Sequence, residues 1–485
     1  MAPMTADPER AASALAALDR GPVNEYDGAQ SSPRRREPRH VLRSEDDELN
    51  GKGRRKLIAT TQDLRRNFAV ARWAINKHLD YVSRFNFQSN SGDARLDDQI
   101  EALMRSFARK ENCDVAGRHP LPRMIRLAEA CAVVAGDMIF NLLSSGRLQA
   151  IEGERVRTPN TDLPRGFNPD EWTHGVRTTK AGKATGFAVC NRDRTGKRFT
   201  LAKILPARHV IHHAFYDRFD QVRGVSPIAA ALNDFQDIRE AHAYALARMK
   251  VSQLFGLVTY RDEPEPLGTP VGAGEFQDEP PFEIDFNKGP FQLDLAQGDK
   301  AEFLQDNSPS TQFDTFTSKI IGIALKTLDL PLSFYDEAHT NFFGSRAALM
   351  QYLSSCEWKR DNLRGTLDAI TAWRLRLWIE SGELVLPRGM SAEDLRWEWM
   401  HAGTPWWDPI KDIRGDVMAI HAGFETRDDV TRRRTGRRFR DILGRLAEEE
   451  SLIRESGATI VAPGPTVFNP EAVVATGRGE DDAAA

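Results

Sequence analysis

The stretch RGVSPIAAALNDFQDIREAHAYALARMKVSQLF, residues 223–255, decides the architecture. Ser226 is a plausible helix N-cap, and Pro227 suits a first helical position, where no N–H is needed. Ile228, Ala231, Leu232, Phe235, Ile238, Ala245, Leu246 and Met249 then mark one apolar face. Running to about Phe255, such a helix is roughly 40 Å long at 1.5 Å per residue. That exceeds the usual three or four turns and reads as a strut.

Working outward toward the C-terminus, the texture changes abruptly. From Tyr260 to Asn307 the chain is rich in Pro and Gly. Twelve acids against three bases give it a net charge of −9, the densest charge block in the sequence. Phe291–Leu295 and Lys300–Leu304 read as short strands around a Gly-Asp turn, so the block is an exposed module inserted between helices. Helix resumes with Phe313, Phe316, Ile320, Ile323, Ala324 and Leu328, and Pro331 stops it. The loop LPLSFYDEAHTNFFGS (330–345) follows. Ser345 is placed to cap a helix carrying Ala348, Leu349, Tyr352, Leu353 and Cys356, which continues, with a break near Gly365, to Gly382. Leu395–Trp399 reads as a strand. Asp408-Pro409 opens a helix through Ile413, Val417 and Ile420 that Gly423 stops, and Thr426 with Asp429 forms a capping box for a last charged helix. The tail from Gly457 has the composition of disorder.

On the N-terminal side, residues 1–44 read as a mobile arm. The basic run Arg34–Arg36, with Arg39, Arg43, Lys52, Arg54, Arg55 and Lys56, fits a solvated tail, or a contact with nucleic acid or an acidic neighbour. A helix is expected over Thr61–Tyr81, with capping-box spacing at Thr60 and Asp63. Its apolar face is Leu64, Phe68, Ala71, Ile75, Leu79 and Val82. A second carries Leu96, Ile100, Leu103, Met104 and Phe107, and a third Met124, Leu127, Cys131 and Val134. Then Asp137–Leu143, Leu148–Glu152, Val176–Thr178, Ala184–Cys190 and Arg198–Ile204 read as a meander of strands.

At 485 residues the chain exceeds one core, and its net charge of −4 is not that of a basic sequence-reading DNA binder. There is no run of eighteen apolar residues, and the first residues lack the basic start and apolar core of a signal peptide. Cys113, Cys131, Cys190 and Cys356 form no CxxC pair and read as reduced thiols. No GxxxxGK[ST], GxSxG, HExxH or SxxK motif appears. Gly268, Gly272 and Gly274 lie in the Pro-rich acidic block, not between a strand and a helix. His209, His212 and His213 share a strand with no nearby Cys, which favours a structural role over zinc. The Trp397/Trp399 and Trp406/Trp407 pairs read as packing. No catalytic residue, cofactor or metal is expected.

Several phrases, in order, resemble the lambda-type phage portal family over about residues 45–450. They are DLRRNFAVARWAINKHLDYV (63–82); AGDMIFNLL (135–143) with LQAIEGERVRTP (148–159) and HGVRTTKAGKATGFAV (174–189); VIHHAFYDRFDQVRGVSPIAAALNDFQDI (210–238); LDLPLSFYDEAHTNFFGSRAALMQ (328–351); and WWDPIKDIRGDVMAIHAGFETRDDV (406–430). Asp412 stands where the family usually has Glu, and the Gly-x-Asp after the Thr motif is blurred into TGRRFRDIL.

The resemblance implies a mainly helical α+β fold assembled as a ring, a dodecamer in the family. It divides the chain into an arm (1–44), a wing (45–225), a stem helix (226–256), a clip (257–308), a second stem helix (309–330), a tunnel loop (331–345), a long wing helix (346–382), a crown (383–455) and a tail (456–485). It implies that the subunit lines the channel at one capsid vertex for DNA packaging and ejection, in the virion, after assembly in the bacterial cytoplasm. Implied partners are duplex DNA, the terminase large subunit, the major capsid protein or scaffold, and a neck protein, with no membrane. Asp336, Glu337, His339, Thr340 and Asn341 would face the channel; Phe342 and Phe343 would anchor the loop, and Gly344 would be its hinge. Asp262, Glu263, Glu265, Glu275, Asp278 and Glu279 would form the clip's partner surface. The competing readings are another capsid-associated structural protein, or a nucleic-acid-processing subunit, which would need a compact carboxylate cluster for metals.

Overall fold

A computed structural model of the chain describes residues 43–161, 163–192, 198–254, 257–261, 299–303, 311–336, 342–403 and 407–457. The expected N-terminal arm up to residue 42, the clip acids, the strand Phe291–Leu295, loop residues Glu337, His339, Thr340 and Asn341, and Trp406 lie outside the described residues, as does the tail beyond Gly457.

A turn of helix, α1 (Glu45–Glu48), precedes α2 (Gly51–Asn67). Helix α2 begins ten residues before the expected Thr61. Its cap is Asn50, whose Oδ1 accepts from the N–H groups of Lys52 and Gly53 at 3.1 and 2.9 Å. Thr60 and Asp63 have capping-box spacing but sit mid-helix, and Thr61 Oγ1 donates back to the Leu57 carbonyl at 2.9 Å. The real break is Phe68, whose backbone is extended (φ −125°, ψ 113°), after which α3 (Ala69–Val82) resumes. Strand β1 (Phe85–Ser89) follows, then α4 (Ala94–Phe107) capped by Asp93, α5 (Lys110–Cys113) and α6 (Leu121–Ala135).

The expected meander is two antiparallel sheets. Strands β2 (Asp137–Leu142), β3 (Leu148–Glu152) and β8 (Val210–Ala214) pair in the order β3-β2-β8. Strands β4 (Trp172–Thr173), β5 (Val176–Thr178), β6 (Ala184–Arg192) and β7 (Phe199–Pro206) form the second in chain order. Ile139 and Ile151 of the first sheet bury against Val176, Phe187, Val189 and Leu205 of the second.

Helix α7 (Leu232–Leu254) leaves the body, and its far end leads to β9 (Leu257–Arg261). Strand β10 (Asp299–Phe303) returns antiparallel to β9, with Leu257 opposite Phe303 and Arg261 opposite Asp299, so the ends of the acidic block are tied together. Helix α8 (Thr311–Leu325) runs back beside α7. The forty-residue α9 (Phe342–Ser381) passes Gly365 without the expected break. Open space surrounds Gly365, and nothing there interrupts the helical ladder. Tyr352, Cys356, Leu363, Leu367, Ile370, Leu375 and Trp378 make the buried stripe of α9.

That stripe joins one core with α2, α3, α4, α6 and the near ends of α7 and α8. Strand β11 (Trp397–His401) pairs with β1 across more than three hundred residues of chain. Helices α10 (Pro409–His421), α11 (Arg427–Thr435) and α12 (Phe439–Ser456) complete a C-terminal module. The Asp408 cap, the Thr426–Asp429 capping box and the stop at Gly423 (φ 75°) are formed as expected. No helix among the described residues is long and apolar enough to cross a membrane.

Candidate functional site

The RGVSP phrase is the socket from which the long helix leaves the body. Arg223 is 1% exposed. Its Nε and Nη2 donate to the two oxygens of Asp137 at 2.6 and 2.7 Å. Its Nη1 serves the carbonyls of Val156 and His174 at 2.5 and 2.6 Å, and Nη2 also serves Gly153 at 2.8 Å, so all five guanidinium donors are used. Arg54 adds a contact to Asp137 at 3.2 Å and donates to the Gly224 and Ala135 carbonyls at 2.6 and 3.2 Å. The Gly224 N–H donates to Asp137 at 3.1 Å, and His212 Nε2 meets the same carboxylate at 3.2 Å.

Burial pushes the Asp137 carboxyl up, but the charges of Arg223 and Arg54 outweigh it and hold the group well below the usual range. Burial, with the neighbouring Arg223 charge, lowers Arg54 to about 10. A Cβ on Gly136 would stand 2.3 Å from the Gly224 carbonyl oxygen, and one on Gly153 2.2 Å from Asp137 Oδ1. The phrases AGDMIF, EGERV and VRGVSP therefore meet at one point. Ser226 holds the expected N-cap position and Pro227 the first helical one, but of a 3-10 turn (Pro227–Ala231) before α7, and the Ser226 Oγ donates to the Val133 carbonyl at 2.6 Å instead of making a side-chain cap.

A second polar node lies beneath it. Glu129 is fully buried between His78 and His213, whose Nε2 atoms lie 2.7 and 2.8 Å from its two oxygens. Burial raises the carboxyl, but hydrogen bonds from His213 and His78 bring it down to about 2. His213 Nδ1 is 3.0 Å from Thr366 Oγ1, which ties β8 to α9. Of the HVIHH residues, His212 and His213 are thus bound into the fold, and His209 sits on an exposed turn against Arg208. Among the described residues no group of three or more His, Cys, Asp or Glu side chains is placed to hold a metal ion.

The two long helices bury apolar residues at the body end and expose them beyond it. On α7 and the turn before it, Ile228, Ala231, Leu232, Phe235 and Ile238 are buried, whereas Tyr244 and Leu246 are 71% and 57% exposed. On α8, Ile321, Ala324 and Leu325 face the core, while Phe316 and Ile323 are exposed. The single stripe expected on α8 is two stripes, one inward and one outward.

The loop after α8 begins on an anchor absent from the sequence expectation. Phe334 stacks on Tyr81 and meets Tyr352 edge-on, with centroids 5.8 and 5.4 Å apart. Tyr335 packs edge-on against Trp73 at 5.8 Å. The Lys359 ammonium donates to the Leu328 carbonyl at 3.0 Å and to Asp329 at 2.7 Å, and Asp329 takes the left-handed conformation (φ 60°) that turns the chain. At the far side the next helix starts at Phe342, so Ser345 does not cap it, and Gly344 lies in its first turn. Phe343 is 78% exposed and is not a buried anchor. Just beyond, Arg346 donates to Asp412 at 2.6 Å, and Asp412 also accepts from the N–H groups of Trp407 and Asp408 at 2.9 and 3.2 Å. The SRAAL and DPIKD phrases therefore touch.

A family model described as phage portal protein, lambda family, matches residues 31–360. This chain belongs to that family. The match starts within the segment expected to be a free arm and stops inside α9. Chains in three solved assemblies are similar in structure. One, from the neck of a native GTA particle computed with C12 symmetry, is 14% identical with TM-score 0.41, covering 77% of this portal protein and 92% of that chain. Another, from the neck of an empty GTA particle computed with C6 symmetry, is 14% identical with TM-score 0.39, covering 68% and 90%. A third, from the virion of a native gene transfer agent particle, is 15% identical with TM-score 0.34, covering 70% and 96%. No curated protein matches.

Proposed function

We propose that this portal protein assembles as a ring, twelve-fold as in the family, whose bore passes duplex DNA into and out of the capsid. Family membership over residues 31–360 carries the reading. The outward apolar residues Tyr244, Leu246, Phe316 and Ile323 support it, because apolar surface on paired struts needs a neighbouring subunit to cover it. In this reading the body with α9 is the wing, α7 and α8 are the stem, residues 331–345 the tunnel loop, and α10–α12 the crown. The protein moves DNA without catalysis of its own, and the motor is the terminase large subunit.

The acidic block between β9 and β10 is proposed as the clip, with Asp262, Glu263, Glu265, Glu275, Asp278 and Glu279 steering the terminase and later a neck protein. The capsid protein or scaffold would meet the wing. Asp336, Glu337, His339, Thr340 and Asn341 are proposed to face the bore, where acids repel phosphate and keep the wall slippery. Negative-stain images of purified protein test the ring: annuli with a central hole are expected, and a well-folded monomer at micromolar concentration, with no rings in capsids, refutes it. Deleting residues 263–281 is expected to leave rings intact and abolish packaging; normal packaging would refute the clip assignment.

A further inference from the structure

A cleft of about 1280 Å³ opens between the body and the C-terminal module. Its walls come from α2, α3, β1, α4 and α6 on one side, and from Gly436, Arg437 and the first turns of α12 on the other. Arg65, Arg84, Arg105, Arg123, Arg437 and Arg445 line it, and no side-chain hydrogen bond or ion pair holds any of these six among the described residues. A seventh, Arg126, pairs with Asp80 at 2.8 Å. The other acids in the cleft are already engaged: Glu101 accepts from the Ser89 N–H, and Asp441 from Gln88. Phe85, Phe87 and Trp399 supply an aromatic floor, with the Phe87 and Trp399 rings 5.0 Å apart.

In the same C-terminal module some arginines are matched to acids. Arg432 is held by Glu398 and Asp428, and Arg434 by Asp416. Seven arginines against three carboxylates, Asp80, Glu101 and Asp441, leave the cleft with an excess of four positive charges that repel one another, although Glu101 partly offsets Arg105. Arginine, not lysine, is the side chain suited to phosphate oxygens, which its planar fork meets two at a time. The six come from several elements along both walls, a distribution that fits a run of phosphates better than a single carboxylate.

We propose that this cleft seats the phosphodiester backbone of duplex DNA, without sequence readout, at a site apart from the channel. The proposal rests on the channel reading for the presence of DNA. The cleft gives part of the chain a firm grip, while the acidic block and loop keep the conducting path free of one.

Fluorescence anisotropy of a mixed-sequence 30-base-pair duplex with the full chain, between 50 and 200 mM salt, tests it. Six phosphate contacts at about 0.9 each predict a log–log salt slope near −5. The variant R84Q/R105Q/R123Q is expected to flatten that slope by about 3 and to weaken binding about ten-fold or more at 100 mM salt. The lysine version, R84K/R105K/R123K, retains the charge and is expected to keep most of the slope. Equal binding by parent and glutamine variant would overturn the proposal and place any affinity on the basic N-terminal run. So would tighter binding, in the same cleft, of a peptide spanning residues 260–285, which would make this a protein-docking site. Rings in negative-stain images of the same preparation report on the channel reading independently.

Discussion

Two groups of arginines lie in the same chain under opposite rules. Around Asp137, Arg223 and Arg54 are buried, and every donor of Arg223 has an acceptor. In the cleft beside β1 and α12, six arginines, five exposed and Arg65 half-buried, have no side-chain hydrogen bond or ion pair among the described residues. Burial explains the difference. A charge taken from water costs several kcal/mol unless it is matched, so the first group had to be completed inside the fold. The second pays no such cost and can wait for a ligand. On the proposal above, the matched guanidinium is a structural part and those of the cleft are open to a partner, and each half of that contrast can be broken by mutation.

The largest effect is expected at the matched group. Arg223→Met leaves Asp137 with Arg54, His212 and the Gly224 N–H, and takes the guanidinium donor from the Val156, His174 and Gly153 carbonyls. We expect a loss of about 3–5 kcal/mol in urea unfolding. Adding Asp137→Asn should recover part of it, because the buried charge goes too. A single-variant loss below about 1 kcal/mol would mean the cluster is not the socket of α7. Gly136→Ala comes next. Its Cβ would stand 2.3 Å from the Gly224 carbonyl at φ 91°, so the two segments must part, costing about 2–4 kcal/mol, read as a lower melting temperature. An unchanged melting temperature would show that this approach is not tight.

Local structure was legible where local rules decide it. Strands β3 and β5 fall on their expected residues, and the Thr426–Asp429 box forms, because alternation and capping act within a few positions. The start of α2 was missed because Gly51 and Gly53 look like breakers, yet both lie in the first turn, which Asn50 caps by accepting from the N–H groups of Lys52 and Gly53. The second stripe of α8 was missed because Phe316 and Ile323 are as apolar as the inward Ile321 and Leu325. The Arg223–Asp137 clamp spans 86 residues and the β1–β11 pairing over three hundred, and no periodicity reports on contacts at that distance. Of the residues expected at the loop, Phe343 is exposed, and the anchor is the aromatic pair Phe334 and Tyr335 just after Pro331. The arginine cleft was invisible because its members come from separate elements that only the fold assembles.

Between the two extremes stands His401 on β11, whose Nε2 is buried without a partner. Burial, then the nearby Arg360 charge, lowers its pKa from 6.5 to about 4. The folded state therefore refuses a proton that the unfolded chain accepts. Stability is intact above pH 6.5 and falls as pH drops from 6.5 toward 4, by up to about 1.4 kcal/mol per pH unit. His401→Gln should flatten that limb in urea titrations at pH 7, 5.5 and 4.5. An identical acid slope in the variant would remove His401 as its cause.

The smallest expected effect sharpens the contrast most. R84Q/R105Q/R123Q removes three exposed charges that hold no side-chain hydrogen bond or ion pair, so mainly like-charge repulsion is lost, against a weak attraction of Arg105 to Glu101. Unfolding free energy should stay within about 0.5 kcal/mol of the parent, with any change toward greater stability at low salt, where repulsion is least screened. Set beside Arg223→Met, the same residue type would then account for several kcal/mol in one place and almost none in another. A loss of more than about 1 kcal/mol would mean that these arginines brace the C-terminal module against the body. The cleft would then be a second structural site, and its lack of partners would no longer argue for a ligand.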